Sequence, residues 1–190
     1  MSTIGWRFGQ PLSEMILAAR AALPSRGLGD INLVISHRRR ILLNKRCQAA
    51  RFKSECPAEW IDIAPKGRCP KQAATNAPQP MRLWVGVVLI AVLDGITKSG
   101  MYNSQLLKVM SREDDSVTLQ CTEGHREYQV SRGWLALNTR LGWSVCYAAI
   151  QARTCHGTVA LHDTTSARYS RRHLVMGLSR ATAAANVWIA

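Results

Sequence analysis

The 190-residue sequence lacks the patterns that mark several common classes of protein. It holds six cysteines but no CxxC pair, so it predicts neither a zinc ribbon nor a dense disulfide framework. Its most apolar stretch, residues 81–93, is interrupted by Arg82 and Gly86 and falls short of the roughly 20 apolar residues of a membrane span. Glu14 and Arg20 interrupt the apolar stretch near the N-terminus, unlike a secretory signal. We therefore expect a soluble, intracellular protein of the nucleus or cytoplasm, with no membrane partner.

Motifs that carry catalysis are also missing. No Gly-x-x-x-x-Gly-Lys-[Ser/Thr] segment occurs, and the nearest one, residues 94–99, lacks the glycine before the lysine and is interpreted as a turn. The acidic residues 113–115 lie between two β-prone runs, as a hairpin turn does. Neighbouring side chains such as Cys155–His156 rarely face each other, and His162–Asp163 resembles an acid–base dyad only superficially. The sequence predicts no metal site.

Basic residues are present in excess. Lys and Arg number 25 against 12 Asp and Glu, which gives a formal net charge of +13. Arginines form clusters at residues 38–40 and 168–172, and the planar guanidinium suits phosphate recognition. Such a charge favours polyanions, and nucleic acid is the first candidate, although a merely soluble basic surface has the same composition.

The first quarter of the chain predicts a helix followed by a βα unit. Residues 9–23 have helical spacing, with Ser13 as the expected N-cap. Residues 31–36 form an almost continuous apolar run, which is typical of a strand buried on both faces of a parallel sheet. Residues 37–46 then return to helical spacing.

The middle of the chain predicts a small barrel. After a short strand at 60–63, residues 64–80 show no period and are interpreted as a linker. Closely spaced short strands favour a small antiparallel barrel. The four β-prone runs that follow are residues 82–93, 105–111, 116–121 and 126–131.

Beyond residue 132 the α/β pattern resumes. A strand is expected at 140–145, a helix through 173–181 that carries Arg180 on its polar face, and a last strand at 187–189. The predicted fold class is therefore α/β, a parallel-sheet domain with an inserted antiparallel barrel. The expected parts are an N-terminal helix and connector (1–30), the first part of the α/β domain with a linker (31–80), the barrel (81–131) and the rest of the α/β domain (132–190).

Four segments carry further information through their order. They are NLVISHRRRILLN (32–44), the stretch 81–119 with Met101-Tyr102-Asn103-Ser104 leading to Val109, AIQARTCHG (149–157) and HLVMGLSRATAAANVWI (173–189). Together they resemble the second RecA-like domain of superfamily 1 DNA helicases of the RecD-like kind, a UvrD-like C-terminal domain. The fourth segment is the specific one. The resemblance covers about residues 31–190.

The resemblance implies a fold and a set of site residues. It implies a RecA-like domain of the P-loop NTPase type, which helps to bind ATP between two such domains. Hydrolysis of that ATP would move single-stranded nucleic acid, and DNA is expected in preference to RNA. It implies that Arg180 is the catalytic arginine finger. The other implied contacts are His156 and Gly157 to the nucleotide, and Ser36, His37, Arg38, Arg153 and Thr154 to the nucleic acid.

The sequence departs from the pattern of this family in several places. His156 stands where the family has glutamine, Arg153 and Thr154 replace His-Lys, and Ser104 replaces a turn glycine. We expect the first RecA-like domain, with its P-loop and magnesium-holding acidic residue, to be absent, because these residues contain no P-loop motif. ATP and Mg²⁺ are therefore expected to bind only if a P-loop-containing domain completes the site in cis or in trans.

We accordingly expect no ATP turnover by the purified chain alone, because an arginine finger without a P-loop lacks the groups that hold the phosphates. A coupled ATPase assay with and without single-stranded DNA measures this. Turnover that disappears in Arg180→Ala would contradict the expectation.

The favoured interpretation is a helicase-derived C-terminal fragment or stand-alone second domain that binds nucleic acid. Two alternatives stay open at this point. One is a non-enzymatic basic module whose barrel binds nucleic acid through Trp84, Tyr102 and Tyr128, if those aromatic rings are not simply core. The other is a decayed helicase remnant without function.

Overall fold

The computed structural model describes residues 9–23, 27–64, 78–151 and 153–190. The chain divides into two compact units, one formed by Met1–Leu43 with Ser144–Ala190 and one formed by Asn44–Trp143. The second unit is thus inserted into the sequence of the first. We call them the parallel-sheet unit and the inserted unit.

The described residues form four α-helices, eleven β-strands and two short 3-10 turns, Tyr147–Ile150 and Ala184–Asn186. The helices are α1 (Leu12–Ala22), α2 (His37–Glu55), α3 (Arg132–Asn138) and α4 (Arg171–Leu178). The strands are β1 (Ile31–Val34), β2 (Ile61–Ile63), β3 (Met81–Leu83), β4 (Val88–Ala91), β5 (Leu106–Arg112), β6 (Ser116–Cys121), β7 (Glu127–Ser131), β8 (Thr139–Leu141), β9 (Ser144–Cys146), β10 (Val159–Leu161) and β11 (Val187–Ile189).

Four strands of the parallel-sheet unit form one parallel sheet in the order β11–β10–β1–β9. Leu33 of β1 is paired with Leu161 of β10 on one side and with Val145 of β9 on the other. Every residue of β1 is buried, as the continuous apolar run predicted. A mixed α/β fold with a parallel sheet is thereby confirmed.

Helix α4 packs closely on this sheet through Gly177. A Cβ added at Gly177 would lie 2.4 Å from Cδ2 of Leu161 in β10 and 3.3 Å from Cε1 of Tyr147. Leu174, one turn earlier, is fully buried. The absence of a side chain at Gly177 therefore lets the helix approach the strand.

The inserted unit is antiparallel. Five strands pair in the order β7–β6–β5–β4–β8, and β2 pairs separately with β3. Its core contains Trp84 and Trp143, whose ring centroids are 5.8 Å apart. Helix α3 is capped by Ser131, whose Oγ accepts a hydrogen bond from the backbone N–H of Trp134 at 3.2 Å.

Two of the expected strands are wrong in extent because each is divided at a glycine. Residues 82–93 form β3 and β4 with a turn between them, where Gly86 has φ +99°. Residues 140–145 likewise separate into the end of β8 and the start of β9. The chain leaves the antiparallel sheet at Gly142, where a Cβ would lie 3.0 Å from Cγ1 of Val88.

The expected helix boundaries are corrected at three places. Helix α1 begins at Leu12 after Pro11, so Ser13 lies inside the helix and is not its cap, because proline readily occupies the position where the N–H would be unpaired. Helix α2 continues from residue 46 to Glu55. Helix α4 ends at Leu178, so Arg180 lies in the turn that follows.

Ser104 lies in a turn and is one of the few described residues other than glycine with a positive φ. Its φ is +64°, in the left-handed region that side chains with a Cβ rarely adopt. Asn103, the preceding residue, accepts a hydrogen bond at Oδ1 from the backbone N–H of Leu93 at 3.2 Å. This hydrogen bond helps to hold the turn at Ser104 in place.

Most of the predicted linker at 64–80 lies outside the described residues. Within the described ranges, no helix combines the length and the apolar character that crossing a bilayer requires.

Candidate functional site

The predicted site residues lie at the two opposite ends of the parallel sheet. Ser36, His37 and Arg38 follow β1 and therefore lie beyond the carboxyl ends of the strands. Residues 153–157 precede β10, and Arg180 precedes β11, so these lie on the amino side. The structure thus separates the predicted nucleic-acid contacts Ser36 to Arg38 from Arg153 and Thr154.

At the carboxyl ends, several polar side chains meet in what we call the strand-end cluster: Ser36, His37, Arg39, Cys146 and Asp163. Oγ of Ser36 accepts the backbone N–H of Arg39 at 3.2 Å, which caps α2. Nδ1 of His37 lies 3.7 Å from Sγ of Cys146 at the end of β9. Oδ1 of Asp163 lies 3.8 Å from Nε of Arg39.

The position of this cluster favours an anionic ligand. Strand β1 lies between β9 and β10, although β9 and β10 follow each other along the chain. Ligands of open parallel sheets bind beyond the carboxyl ends of the strands where the strand order reverses in this way. The N-terminus of the 19-residue helix α2 also lies here, and its unpaired N–H groups and dipole attract anions.

The three arginines of residues 38–40 have different environments. Arg38 is exposed, and Arg39 is half exposed beside Asp163. Arg40 is 4% exposed, and its Nε and Nη2 atoms are buried. Burial lowers the pKa of Arg40. Arg38 is therefore the cation of this group that is most open to a phosphate.

Burial keeps the histidine and the cysteine of the strand-end cluster uncharged near neutral pH. It lowers the pKa of His37, with a further contribution from the positive charge of Arg40. It raises the pKa of Cys146. These two groups therefore meet as neutral partners and not as an ion pair.

His162 is a buried structural residue and not half of an acid–base dyad. Its Nε2 lies 3.0 Å from Oδ1 of Asn32 in β1, and its carbonyl accepts the Tyr147 hydroxyl at 3.2 Å. The side chain is 5% exposed, and burial lowers its pKa to about 4. A neutral imidazole at this position joins β10 to β1.

At the amino side, the structure brings two of the helicase-like segments together. The backbone N–H of Cys155 donates to the carbonyl of Arg180 at 2.7 Å, and Cys155 forms a parallel bridge with Ala181. Nη1 of Arg180 donates to the carbonyl of Arg153 at 3.0 Å. The guanidinium of Arg180 is half buried, and it also donates to Oγ of Ser179. Thr154 is exposed.

The other predicted nucleotide contacts suit a phosphate poorly. Gly157 has φ +90°, and a Cβ added there would lie 2.7 Å from Oδ2 of Asp30. That oxygen also accepts the N–H and the hydroxyl of Thr158, at 2.9 and 2.8 Å. A carboxylate thus lies where the glycine would otherwise leave room, and it would repel a phosphate. His156 is exposed.

The aromatic rings considered for base stacking are mostly core. Trp84 and Tyr128 are 2% and 5% exposed, so neither can stack on a nucleotide base. Tyr102 is half buried, and its hydroxyl donates to Oε2 of Glu123 at 3.2 Å. In the part of the chain that the structure describes, no three His, Cys, Asp or Glu side chains come together as metal ligands would.

Comparison with known proteins places this fold among helicases. A Pif1 helicase structure from a study of DNA unwinding at forked double-stranded DNA has a TM-score of 0.64, at 16% identity over 93% of this chain and 43% of that chain. Bacteroides Pif1 in complex with ADP-AlF3 and ssDNA has a TM-score of 0.56, at 18% identity over 94% of this chain and 43% of that chain. Pif1 from Candida albicans has a TM-score of 0.54, at 16% identity over 90% of this chain and 49% of that chain.

At these identities the likeness establishes the fold, which is that of part of a helicase. The chain spans less than half the length of the helicases it matches. No protein-family model matches the sequence, and no curated protein matches it. The sequence motifs resemble those of RecD-like helicases, whereas the matched structures are Pif1 helicases.

Proposed function

We propose that this chain is the nucleic-acid-binding second domain of an ATP-dependent DNA helicase. In this proposal it is RecA-like and UvrD-like, the inserted unit supplies the small barrel, and single-stranded DNA is the ligand. A P-loop-containing domain in cis or in trans completes the motor. The observation that carries the proposal is the pairing of Cys155 with Arg180, which joins the two helicase-like segments 149–157 and 173–189 in a helicase fold.

The strand-end cluster and the adjacent Arg38 are the proposed contact to the nucleic-acid backbone. Arg38 offers an exposed cation, and Ser36 offers a hydroxyl beside the N-terminus of α2. A net charge of +13 supports binding to a polyanion through release of counterions. The structure of Bacteroides Pif1 bound to ssDNA supports the choice of ligand.

Arg180 is the residue that fits the proposed arginine finger. Its guanidinium donates to neutral oxygens of Arg153 and Ser179, with no carboxylate among these partners, so its charge stays available to an anion. Bound ATP and Mg²⁺ would supply the phosphoryl group whose negative charge an arginine stabilises. Gly157 and His156 are left out of this site because Asp30 adjoins the glycine.

The test is binding of a fluorescent oligo-dT to the purified chain, measured by anisotropy at several salt concentrations. Wild-type affinity is expected to fall as salt rises. Arg38→Ala should weaken binding several-fold and reduce the slope of log affinity against log salt by about 1, because one phosphate contact is lost.

Lys98→Ala is the matched control, since it removes an exposed cation from a turn of the inserted unit. It should leave the affinity for oligo-dT within about twofold of wild type. Loss of affinity in Lys98→Ala with none in Arg38→Ala would instead favour the basic-module function. Absence of wild-type binding would contradict both functions.

A further inference from the structure

Asp163 stands out among the residues at the carboxyl ends of the strands. It has φ +63°, in the left-handed region that Asp and Asn tolerate better than most side chains. A strained backbone that persists beside a candidate site indicates a functional constraint. The residue follows His162 directly at the end of β10, and sequence reasoning gave it no role.

The carboxylate of Asp163 holds the beginning of the loop after β1. Its Oδ2 accepts the backbone N–H of Ile35 at 3.0 Å, across 128 positions of sequence. The backbone N–H of His162 donates to the carbonyl of Leu33 at 3.0 Å, so the pairing of the two segments continues past the strands up to this carboxylate. The side chain of Asp163 is 20% exposed.

The segment held in this way is the one that carries the proposed nucleic-acid contacts. Ile35 directly precedes Ser36, and Ser36 caps α2 through the N–H of Arg39. Asp163 also lies beside the guanidinium of Arg39, at 3.8 Å. One carboxylate therefore contacts both the entry to the turn and the first turn of the helix.

Electrostatics alone would not place a carboxylate here. A negative charge next to a backbone-binding site repels the phosphates that the neighbouring arginines attract. Its hydrogen bond to Ile35, by contrast, fixes the direction in which Ser36 and His37 leave the sheet. A carboxylate at this position is therefore favourable for binding only if the fixed geometry of the turn contributes more than the repulsion of phosphate costs.

We infer that Asp163 is a positioning residue for single-stranded DNA binding: it anchors Ile35 so that Ser36 and His37 present their groups to the phosphate backbone. This inference rests on the proposed function. Asp163 need not touch the nucleic acid itself, since it acts through the N–H of Ile35 and the side chain of Arg39.

Three substitutions separate anchoring from charge and from strain. Asp163→Asn keeps an acceptor oxygen and tolerates the positive φ, but it removes the charge. Asp163→Gly relieves the backbone strain and removes the acceptor. Asp163→Ala removes the acceptor and keeps the strain. Glu14→Gln, at an exposed position of α1, is the control for loss of one negative charge in the same unit.

The readouts are amide hydrogen exchange at Ile35, the melting midpoint and affinity for oligo-dT. In the Gly and Ala variants, amide exchange at Ile35 should accelerate by about tenfold, because the N–H loses its acceptor. The affinity for oligo-dT should fall by about fivefold, because the turn is no longer held in one direction. The Asn variant should stay within about twofold of wild type or bind more tightly. Glu14→Gln should leave exchange at Ile35, the melting midpoint and the affinity for oligo-dT at their wild-type values.

Several results would overturn the inference. One is an exchange rate at Ile35 in the Gly variant that equals the wild-type rate. Another is tighter oligo-dT binding in all three variants, which would mean that Asp163 acts only as a repulsive charge. A loss of affinity in all three that follows the melting midpoint would make its role purely structural. A wild-type chain that binds no oligo-dT overturns the proposed function instead, and the exchange measurement distinguishes that failure from failure of the anchor.

Discussion

Gly177→Val is expected to destabilise the parallel-sheet unit by about 3 kcal/mol, at the upper end of what overpacking a well-packed core usually costs. The new Cβ would lie 2.4 Å from Cδ2 of Leu161 and 3.3 Å from Cε1 of Tyr147. Leu161 is fully buried in β10, so its side chain has little room to move aside. Helix α4 must therefore shift away from the sheet.

The loss of stability can be measured by urea unfolding together with amide exchange in β1 and β10. Gly133→Val is the matched control, because Gly133 lies in α3 with no atom within 4 Å of an added Cβ. That change should alter the free energy of unfolding by less than about 1 kcal/mol. Equal effects of the two substitutions would mean that α4 does not pack on β10 as described.

Acidification from pH 6.5 towards pH 4 is expected to remove up to about 3 kcal/mol of stability from the parallel-sheet unit, at about 1.36 kcal/mol per pH unit. The pKa of His162 is lowered from its ordinary value of 6.5 to about 4, chiefly by burial and also by the charge of Arg39. The unfolded chain therefore binds a proton in this pH range while the folded chain does not. Stability is fully present above pH 6.5 and is lost as the pH falls towards the folded pKa.

The measurement is urea unfolding at a series of pH values. His162→Gln should reduce the acid-dependent loss, since glutamine carries no titrating group. His156→Gln is the matched control, since it removes an exposed histidine from the same unit. The pKa values of His37 and His173 are also lowered by burial, so part of the acid sensitivity should survive in His162→Gln. Identical pH profiles for wild type and His162→Gln would refute the assignment.

The elements with a strong local signal could be predicted from sequence. Residues 31–36 contain β1 because an unbroken apolar run suits a strand with two buried faces. The alternating run at 116–121 matches β6 at both ends. Turn residues at 113–115 separate β5 from β6 as expected.

The boundaries that failed depend on contacts between distant parts of the chain. Helical spacing continues through Arg180, yet α4 ends at Leu178, and the carbonyl of Arg180 accepts the N–H of Cys155 instead of continuing the helix. Residues 140–145 read as one strand, but the two halves pair with different sheets. The periodicity of a sequence does not indicate which distant strand or backbone group a residue will pair with.

The candidate site was predictable only in part for the same reason. Arg153 was assigned to the nucleic acid and Arg180 to the nucleotide, and the structure brings the two together through a hydrogen bond that the sequence did not predict. Asp30 and Asp163 were missed, because each acts on a backbone N–H that lies 128 positions away. A single aspartate at the beginning or the end of a strand carries no local signal for such a contact. Gly157 stays a predicted nucleotide contact, and the carboxylate of Asp30 beside it could not be foreseen from the sequence.

The insertion of one unit inside the other has a consequence for the order of folding. The strands of the inserted unit pair mainly with their neighbours in sequence, as β5 does with β6 and β6 with β7. Strand β1 must instead wait for β9 and β10, which follow it by more than a hundred residues. Loop closure over that distance is slow for an extended chain. Early folding of residues 44–143 would shorten the loop that must be closed, so the parallel sheet should form last. During synthesis on a ribosome, it should form only after β10 has emerged.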